Sequence, residues 1–308
     1  MSKYDSIIIG FGKGGKTLAG FLGKQGKKVA LIERSDKMYG GTCINIGCIP
    51  TKTLVHKSKL SLYKNLNSFE EKANEYRIGI EEKQNLIKML REKNYKMLDS
   101  IDNIHIYNGT ASFVSSTEVE IDSKDGKLIL EGENIFINTG ASTIIPNIPG
   151  INDSKKIYTS TTIMDLKELP KHLIIVGGGY IGLEFSSIYA NFGSKVTVIE
   201  AGDRLAARED KDISNNIKEI LENKGISFVL NSKVKSFKEE GNEITVTYLD
   251  TLTNLETEVK GDVVLIATGR KPNTEGLNLE AAGVKTTDRG AVVVDNRLRT
   301  NIPNIWAI

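Results

Sequence analysis

The sequence predicts an α/β fold made of two Rossmann-like domains, the second inserted into the first. Three observations support this prediction. A strand, a glycine-rich turn, a helix and a second strand open the 308-residue chain; the same unit returns 167 residues later, from Gly10 to Gly177; and a buried strand ending in Thr-Gly follows each unit. The repetition of a whole supersecondary unit at a fixed offset indicates two copies of one architecture.

The first unit begins with the apolar run 7–9 and ends at Glu33. Gly10 permits a tight turn, Gly12 lets backbone N–H groups approach a pyrophosphate, and Gly15 allows the helix to pack closely on the strand. The N-terminus of that helix adds a positive potential that favours an anion. Glu33 ends the second strand, where a carboxylate can accept hydrogen bonds from ribose hydroxyls. The unit therefore predicts a dinucleotide site.

The second unit repeats this pattern in register. Its matching residues are Gly177, Gly179, Gly182 and Glu200. Two complete fingerprints predict two bound dinucleotides. A carboxylate at Glu200 favours the free ribose hydroxyls of NADH and repels the 2′-phosphate of NADPH. Arg204 and Arg208 follow closely in the sequence, so NADPH stays an alternative cofactor for the second site.

The predicted domain limits follow from the proline-rich segment 146–150, whose composition is typical of a link between domains. The first domain then comprises residues 1–149 and 269–308. The second domain comprises residues 150–268.

Two segments separate the fingerprints within the first domain. Residues 51–100 show helical apolar spacing among many lysines and glutamates. Residues 103–138 show the β-branched residues and turn signals of a meander or hairpin. Neither segment carries visible chemistry.

Composition excludes several classes of function. Lysine and arginine number 41 against 39 aspartates and glutamates, for a formal net charge of +2, which gives no electrostatic case for nucleic acid or a membrane. No apolar run approaches the roughly 20 residues that cross a bilayer, and the chain opens directly into a strand without the apolar core of a signal peptide. We therefore expect a cytoplasmic protein, and in the cytoplasm a disulfide is more often catalytic than structural.

Cys43 and Cys48 are the only cysteines and lie five positions apart. Five residues of unbroken helix rise about 7.5 Å, beyond the roughly 7 Å that a disulfide bridges. A bridge therefore needs an irregular backbone, which Gly47 and Pro50 supply. We predict a redox-active dithiol; the alternatives are two core cysteines or a non-catalytic sensor whose thiolates hold a soft ion such as copper(I). The three histidines are scattered, so no zinc site is expected.

The cysteine segment G-G-T-C-x-N-x-G-C-x-P-T-K at 40–52, the two fingerprints and the two Thr-Gly strand ends together resemble the class I flavoprotein disulfide reductases. That family includes dihydrolipoyl dehydrogenase, glutathione reductase and mercuric reductase, and the resemblance covers the whole chain. It implies FAD on the first domain and a nicotinamide nucleotide on the second. The implied activity passes electrons from NAD(P)H through FAD to the two cysteines and on to an oxidant.

The resemblance also implies catalytic roles for individual residues. Cys48 matches the thiol that faces the flavin, and Cys43 matches the interchange thiol that attacks the substrate. Lys52 and Glu184 match the ion pair beside the reactive nitrogen of the flavin. Tyr180 matches the aromatic gate that moves when the nicotinamide binds.

The candidate cofactor-binding residues lie in and around these motifs, and no metal ligand is expected. They are Gly10, Gly12, Gly14, Gly15, Glu33, Arg34, Gly41, Thr42, Lys52, Thr139, Gly140, Gly177, Gly179, Tyr180, Ile181, Gly182, Glu200, Thr268, Gly269 and Arg270.

Segments 10–19, 38–41, 133–141 and 208–212 resemble one branch of the family, the reactive chlorine species resistance reductases, also called hypothiocyanous acid reductases. These are bacterial enzymes that reduce hypothiocyanous acid with NAD(P)H. The branch implies a small-molecule oxidant as substrate. Dihydrolipoyl dehydrogenase, glutathione reductase and mercuric reductase activities are the alternatives.

Family members continue past the position of Ile308 with a Gly-Asp motif that holds the flavin. A dimerisation domain with a His-Glu acid-base pair then follows. The resemblance therefore predicts that this chain is a fragment of a homodimeric enzyme. It also predicts that the fragment binds FAD weakly and turns over slowly.

Overall fold

The computed structural model describes residues 2–308 and shows an α/β protein. The helices are α1 (Lys13–Lys24), α2 (Gly41–Asn45), α3 (Cys48–Leu62), α4 (Phe69–Asp99), α5 (Tyr180–Phe192) and α6 (Lys211–Glu222). Short 3-10 turns lie at Asp36–Met38 and Ile163–Asp165. The helical segment expected between the fingerprints is confirmed as α3 and α4.

The strands alternate with these helices along the chain. They are β1 (Ser2–Ile9), β2 (Val29–Glu33), β3 (Ile104–Asn108), β4 (Thr110–Phe113), β5 (Glu118–Ser123), β6 (Gly126–Ile137), β7 (Ala141–Thr143), β8 (Ile157–Thr159), β9 (His172–Val176), β10 (Lys195–Ile199), β11 (Ile226–Val229), β12 (Ser232–Glu240), β13 (Glu243–Asp250), β14 (Glu256–Gly261), β15 (Val263–Ile266), β16 (Arg270–Pro272) and β17 (Ile305–Ala307).

The chain divides into two compact units. Unit 1 comprises Met1–Pro50, Asn85–Ser142 and Lys271–Ile308, and unit 2 comprises Thr51–Gln84 and Thr143–Arg270.

A seven-stranded sheet organises unit 1. Its order is β3-β2-β1-β6-β5-β4, and β17 pairs with β6. Strands β3, β2, β1, β6 and β17 are parallel, with Ile8 opposite Leu31 on one side and Phe136 on the other. Strands β4 and β5 add antiparallel to β6, which confirms the expected meander.

The central strands of unit 1 are continuous apolar runs because both faces of a parallel sheet are covered. One face packs Ile7, Ile9 and Ile135 against the 277–284 segment, and the other packs Ile8 and Leu31 against helical residues. The first glycine turn therefore follows a strand whose end is buried.

A five-stranded parallel sheet organises unit 2, in the order β11-β10-β9-β15-β8. Ile175 on β9 lies opposite Val198 on β10 and Leu265 on β15. The antiparallel strands β12, β13 and β14 form a separate three-stranded sheet. Phe237 and Val246 from that sheet join the core of the parallel one. The second fingerprint therefore also follows a buried central strand.

The two units differ from the predicted domain limits at residues 51–84, 143–149 and 269–270, all of which belong to unit 2. Segment 51–84 is the longest of these and packs against other residues of unit 2. The fully buried Tyr76 donates its hydroxyl to the Leu166 carbonyl at 2.8 Å and lies 3.1 Å from the Tyr189 hydroxyl. Lys83, only 1% exposed, bonds the Met164 carbonyl and Asp165. The helical pattern of residues 51–84 did not indicate that Tyr76 and Lys83 form these buried hydrogen bonds. The assignment of a cofactor to each predicted domain stays a prediction.

Within residues 2–308, no helix combines enough length with enough apolar character to span a bilayer.

Candidate functional site

The first glycine turn joins β1 to α1 through contacts that leave no room for side chains. Gly10 has a φ of 109°, and a Cβ added there would lie 2.3 Å from the Asn138 carbonyl oxygen. A Cβ at Gly15 would lie 2.4 Å from the Gly10 carbonyl oxygen. Gly12 caps α1 with no side-chain hydrogen bond. The first N–H groups of α1 therefore have no side-chain cap and suit an anion.

Asn138 braces this turn, and sequence reasoning missed it. Its side-chain amide donates to the Gly10 carbonyl at 2.9 Å, and its backbone N–H donates to the Ile9 carbonyl at 2.8 Å. A Cβ at Gly12 would lie 2.8 Å from the same amide nitrogen. Its position, directly after a buried strand and before Thr139, was the available signal.

Glu33 is buried behind the turn. Its carboxylate accepts the Phe11 backbone N–H at 3.0 Å and the Ser35 backbone N–H at 3.2 Å. Burial raises the pKa of the Glu33 carboxyl, while these hydrogen bonds act in the opposite direction. The carboxylate thus ties the glycine turn to the end of β2 and keeps lone pairs for further donors. The neighbouring Arg34 is exposed.

The cysteine segment consists of two helices separated by a break. Helix α2 ends at Asn45, α3 begins at Cys48, and Ile46 and Gly47 lie between them outside helical conformation. A Cβ at Gly47 would lie 3.0 Å from the Thr42 carbonyl oxygen. The predicted irregular backbone is therefore present, and Gly47 permits it.

Pro50 has a different position from the one predicted. It is the third residue of α3 rather than part of the break. The first turn of a helix tolerates proline because its N–H groups lack intrahelical partners there.

The two cysteines are free thiols, Cys43 partly buried and Cys48 exposed. A hydrogen bond with Cys48 is the largest cause that raises the pKa of the Cys43 thiol, followed by burial and the charge of Cys48. Lys13 and Lys16 of α1 act in the opposite direction on that pKa. Sequence reasoning named neither lysine as a partner of the cysteines.

Helix α2 packs directly on the first glycine turn. Gly41 has a φ of 71°, and a Cβ there would lie 2.5 Å from the Gly12 Cα. The buried Asn45 donates its amide to the Tyr39 and Gly41 carbonyls at 3.0 and 2.9 Å, and Arg91 donates to its oxygen at 2.8 Å. The candidate dithiol is thereby fixed against the candidate dinucleotide turn. Thr42 is exposed on α2.

The segment after β6 carries two more predicted cofactor residues, Thr139 and Gly140. Asn273 holds both, since its amide donates to the Thr139 carbonyl and its backbone N–H donates to the Gly140 carbonyl, each at 2.9 Å. Gly140 has a φ of 69°, which favours glycine. Gly14, also predicted, faces Ile308 and the Asn138 side chain.

The second glycine turn, between β9 and α5, has the same backbone plan. Gly177 has a φ of 112°, and a Cβ there would lie 2.5 Å from the Ala267 carbonyl oxygen. A Cβ at Gly182 would lie 2.0 Å from the Gly177 carbonyl oxygen. Gly179 caps α5 without a side-chain hydrogen bond and has open space around its Cβ position. Ile181 lies partly buried in the first turn of α5.

Glu200 holds this turn as Glu33 holds the first. Its carboxylate accepts the Gly178 backbone N–H at 2.5 Å and the Gly202 backbone N–H at 2.7 Å. Arg204 donates to the Ala207 carbonyl at 3.1 Å. The structure thus brings the Glu200 carboxylate to the end of β10.

Lys52 and Glu184 form an ion pair between α3 and α5. Lys52 lies one turn after Cys48 on α3 and its side chain is 70% exposed. Exposed ion pairs contribute little to stability, so this contact has no strong structural reason. Its position beside a flavin stays a prediction.

Tyr180, the first residue of α5, is 55% exposed and donates its hydroxyl to the Glu209 carboxylate. This hydrogen bond raises the pKa of the Tyr180 phenol. The glycine-rich motif that contains Tyr180 therefore did not indicate its hydrogen bond to Glu209. Glu209 lies in segment 208–212, one of the segments that resemble the reactive chlorine species resistance reductases.

The Thr-Gly end of the second unit, Thr268 and Gly269, lies against Ile144. The Thr268 hydroxyl donates to the Ile144 carbonyl at 3.4 Å, and the Gly269 carbonyl accepts the Ile144 N–H at 2.9 Å. Arg270 follows with an exposed side chain. Across residues 2–308, no three histidine, cysteine or acidic side chains cluster as metal ligands would.

The chain is similar in sequence to several known oxidoreductases. The chain is 46% identical over 308 residues to the probable pyridine nucleotide-disulfide oxidoreductase RclA of Escherichia coli (strain K12), covering 100% of this chain and 66% of RclA. It is 37% identical to mercuric reductase of Streptomyces lividans and 36% identical to dihydrolipoyl dehydrogenase of Geobacillus stearothermophilus, covering 99% of this chain and 64% of each relative. The chain thus spans about two thirds of the length of these relatives.

Solved structures agree as well. A Cu(II) complex of the HOCl-induced flavoprotein disulfide reductase RclA from Escherichia coli matches with a TM-score of 0.91 at 46% identity, covering 100% of this chain and 66% of that one. A structure of RclA described without copper matches with a TM-score of 0.89 at 46% identity, covering 99% and 65%. The predicted fold class is confirmed. Because residues 4–308 match its family model, the chain belongs to the pyridine nucleotide-disulphide oxidoreductase family.

Proposed function

We propose that this protein is an NAD(P)H-dependent, FAD-containing disulfide reductase that reduces a small oxidant, hypothiocyanous acid. One observation carries the proposal: two hydrogen-bonded thiols, Cys43 and Cys48, stand on a broken helix that packs against the first glycine turn. A thiol pair fixed beside a dinucleotide turn is arranged for electron transfer. Two core cysteines have no need of that arrangement, and Cys48 is exposed.

FAD fits the first turn. The uncapped N-terminus of α1 suits its pyrophosphate, and Glu33 keeps lone pairs for the hydroxyls of a ribose. When bound, FAD accepts a hydride equivalent from the nicotinamide and supplies two electrons to a disulfide. The contribution of the chain is to fix the dithiol, through Gly41 and Gly12, against the turn that holds the cofactor.

A nicotinamide nucleotide fits the second turn, and NADH fits better than NADPH. The support is the Glu200 carboxylate at the end of β10, because a carboxylate there can accept hydrogen bonds from ribose hydroxyls and would repel a 2′-phosphate. Arg204 donates to the Ala207 carbonyl. Tyr180 stands at the uncapped N-terminus of α5.

The dithiol accounts for reduction of a small electrophile without a large binding pocket. The Cys43 thiolate attacks the sulfur of hypothiocyanous acid; a sulfur–sulfur bond forms, the sulfur–oxygen bond breaks, and the oxygen leaves as water after taking up a proton. The Cys48 thiolate then attacks the Cys43 sulfur and releases thiocyanate. Two thiols and one hypothiocyanous acid thus give one disulfide, thiocyanate, a proton and water.

The experiment that tests this proposal compares oxidants with NADH as donor. Hypothiocyanous acid, lipoamide, glutathione disulfide, mercuric ion and Cu(II), the ion held in the RclA complex, are offered to the purified full-length enzyme and to its Cys43→Ser variant. We expect the highest kcat/KM with hypothiocyanous acid and its loss in the variant. A strong preference for lipoamide would assign dihydrolipoyl dehydrogenase activity instead, and undiminished turnover by Cys43→Ser would overturn the role of the dithiol.

We further propose that the full-length enzyme works in the cytoplasm as a homodimer. The support is the resemblance of the whole chain to dimeric flavoenzymes. Light scattering coupled to size-exclusion chromatography measures the assembly directly. A monomer at assay concentration that turns over fully would contradict the dimer.

A further inference from the structure

Lys16 is a half-buried cation in the second turn of α1 whose side chain has a fixed position. Its ammonium group donates to the side-chain oxygen of Asn94 on α4. Asn94 is only 7% exposed, and its amide donates to the Leu90 carbonyl at 2.6 Å, which points its oxygen toward the lysine. Among residues 2–308, no carboxylate lies within ion-pair distance of Lys16.

Two close contacts place this lysine next to the cysteine helix. The Asn94 side-chain carbon lies 3.4 Å from the Cβ position of Gly40, which caps α2. Gly41 packs on Gly12, which caps α1. The N-terminal turns of α1 and α2 therefore meet, and Cys43 is the third residue of α2.

The ionisable groups near the point where α1 and α2 meet shift one another's pKa values. Burial lowers the pKa of Lys16, Lys13 lowers it further, and Cys43 raises it. Cys48 and burial raise the pKa of Cys43, and Lys13 and Lys16 lower it. Cys48, Lys13 and Lys16 are the titratable groups that act on Cys43.

We propose that Lys16, held in place by Asn94, is a positioning residue that stabilises the Cys43 thiolate and so sets the reactivity of the attacking thiol. A half-buried cation is stabilised by a nearby anion, and the thiolate of Cys43 is the anion that lies closest along these contacts. The lysine acts against Cys48, whose hydrogen bond raises the pKa of Cys43. Lys13 also lowers the pKa of Cys43, but it is exposed at the start of α1, whereas the hydrogen bond to Asn94 holds the Lys16 ammonium in one place.

This inference rests on the proposed role of Cys43, but its test reads the thiol alone. In a Cys48→Ser background, Cys43 is the one remaining thiol of the sequence. Its alkylation by iodoacetamide is followed against pH, because only the thiolate displaces iodide. The assay needs neither an oxidant nor a nucleotide.

We expect Lys16→Met to slow alkylation at neutral pH by about fivefold, the effect of losing one moderately screened charge, and to move the pH profile upward. Lys16→Arg should keep most of the rate. Asn94→Asp, nearly isosteric, should slow alkylation in the same way because the new carboxylate neutralises the ammonium. Lys24→Met, at the exposed end of the same helix, should change nothing.

An unchanged alkylation profile in both Lys16→Met and Asn94→Asp would overturn the inference, as would an equal loss in Lys24→Met. If Lys16→Met fails to fold, which circular dichroism shows, Asn94→Asp decides the question by itself. Failure of hypothiocyanous acid reduction with a Lys16-dependent profile would reject the proposed substrate and leave this inference standing. The two failures are therefore distinguishable.

Discussion

The two glycine turns share a backbone and differ in the side chains around it. Gly10 and Gly177 have nearly equal φ angles, 109° and 112°, and both approach the carbonyl oxygen that follows a neighbouring strand. Glu33 and Glu200 each accept one N–H from the turn and one from two residues further along the chain. Binding of a pyrophosphate depends on this backbone, so the shared parts are the ones that a dinucleotide requires.

The differences concern what surrounds the turns. In the first turn, the Asn138 amide fills the space beside Gly12, whereas Ala267 stands at the matching position and Gly179 has open space. Helix α1 begins with Lys13 and α5 begins with an exposed tyrosine. A braced turn suits a cofactor that stays bound, and an open turn suits one that exchanges, as the proposed FAD and NADH do.

The largest expected effect tests the shared backbone. Gly10→Ala and Gly177→Ala should each lower the free energy of unfolding by about 3 kcal/mol or more, because each adds a Cβ against a carbonyl oxygen at a left-handed φ. Gly126→Ala is the matched control, since Gly126 has a φ of 110° with nothing near its Cβ position. It should cost only about 1 kcal/mol. Denaturant titration measures the free energy of unfolding of all three variants. If Gly177→Ala loses no more than Gly126→Ala, the two turns are not equivalent.

The next effect tests the brace that only the first turn has. Asn138→Ala should lower the free energy of unfolding by about 1–2 kcal/mol, since the Gly10 carbonyl loses its donor. It should also weaken FAD binding. Asn134→Ala is the control, because Asn134 lies in β6, the strand that Asn138 follows, and its side-chain amide likewise donates to a backbone carbonyl, that of Asp5, at 3.2 Å. Equal losses of flavin in the two variants, measured by absorbance after dialysis, would show that the brace serves stability alone.

The repeat made the backbone of the turns predictable from sequence, because glycines at a fixed offset mark positions where a side chain cannot fit. The break between the cysteines followed from helix geometry for the same reason. Pro50 was misplaced since proline signals both a break and a first helical turn, and sequence does not distinguish the two.

Partners brought in from distant segments could not be predicted. Asn138 and Asn94 are single asparagines whose bonds depend on which strand or helix lies beside them. Glu209 reaches Tyr180 across 29 positions. The helical spacing and many charges of residues 51–84 did not indicate that Tyr76 and Lys83 are buried.

A third prediction concerns the carboxylate of the first turn. Burial raises the pKa of Glu33 above its ordinary value of 4.5. The folded protein therefore holds a proton that the unfolded chain has released, so the free energy of unfolding falls as pH rises from 4.5 through the raised pKa. Glu33→Gln should remove this slope, as urea titrations from pH 4.5 to about 7 would show.

Glu71→Gln is the control for that slope. Backbone N–H groups of Ser68 and Asn67 lower the pKa of Glu71. Glu71 therefore changes the free energy of unfolding only below its ordinary pKa of 4.5. It should leave the slope above that pH unchanged. A Glu33→Gln protein with the parental slope would show that another group titrates there.

The smallest expected effect tests the open turn. If the Tyr180 ring moves when nicotinamide binds, it must first break its hydrogen bond to Glu209. An exposed hydrogen bond has a net worth of about 0.5 kcal/mol, so Tyr180→Phe and Glu209→Ala should each lower the KM for NADH by roughly twofold. Tyr63→Phe, at another exposed tyrosine, should leave it unchanged. A raised KM in Glu209→Ala would mean that the bond holds the ring in its binding position, and the second turn would then be braced like the first, by a tyrosine in place of an asparagine.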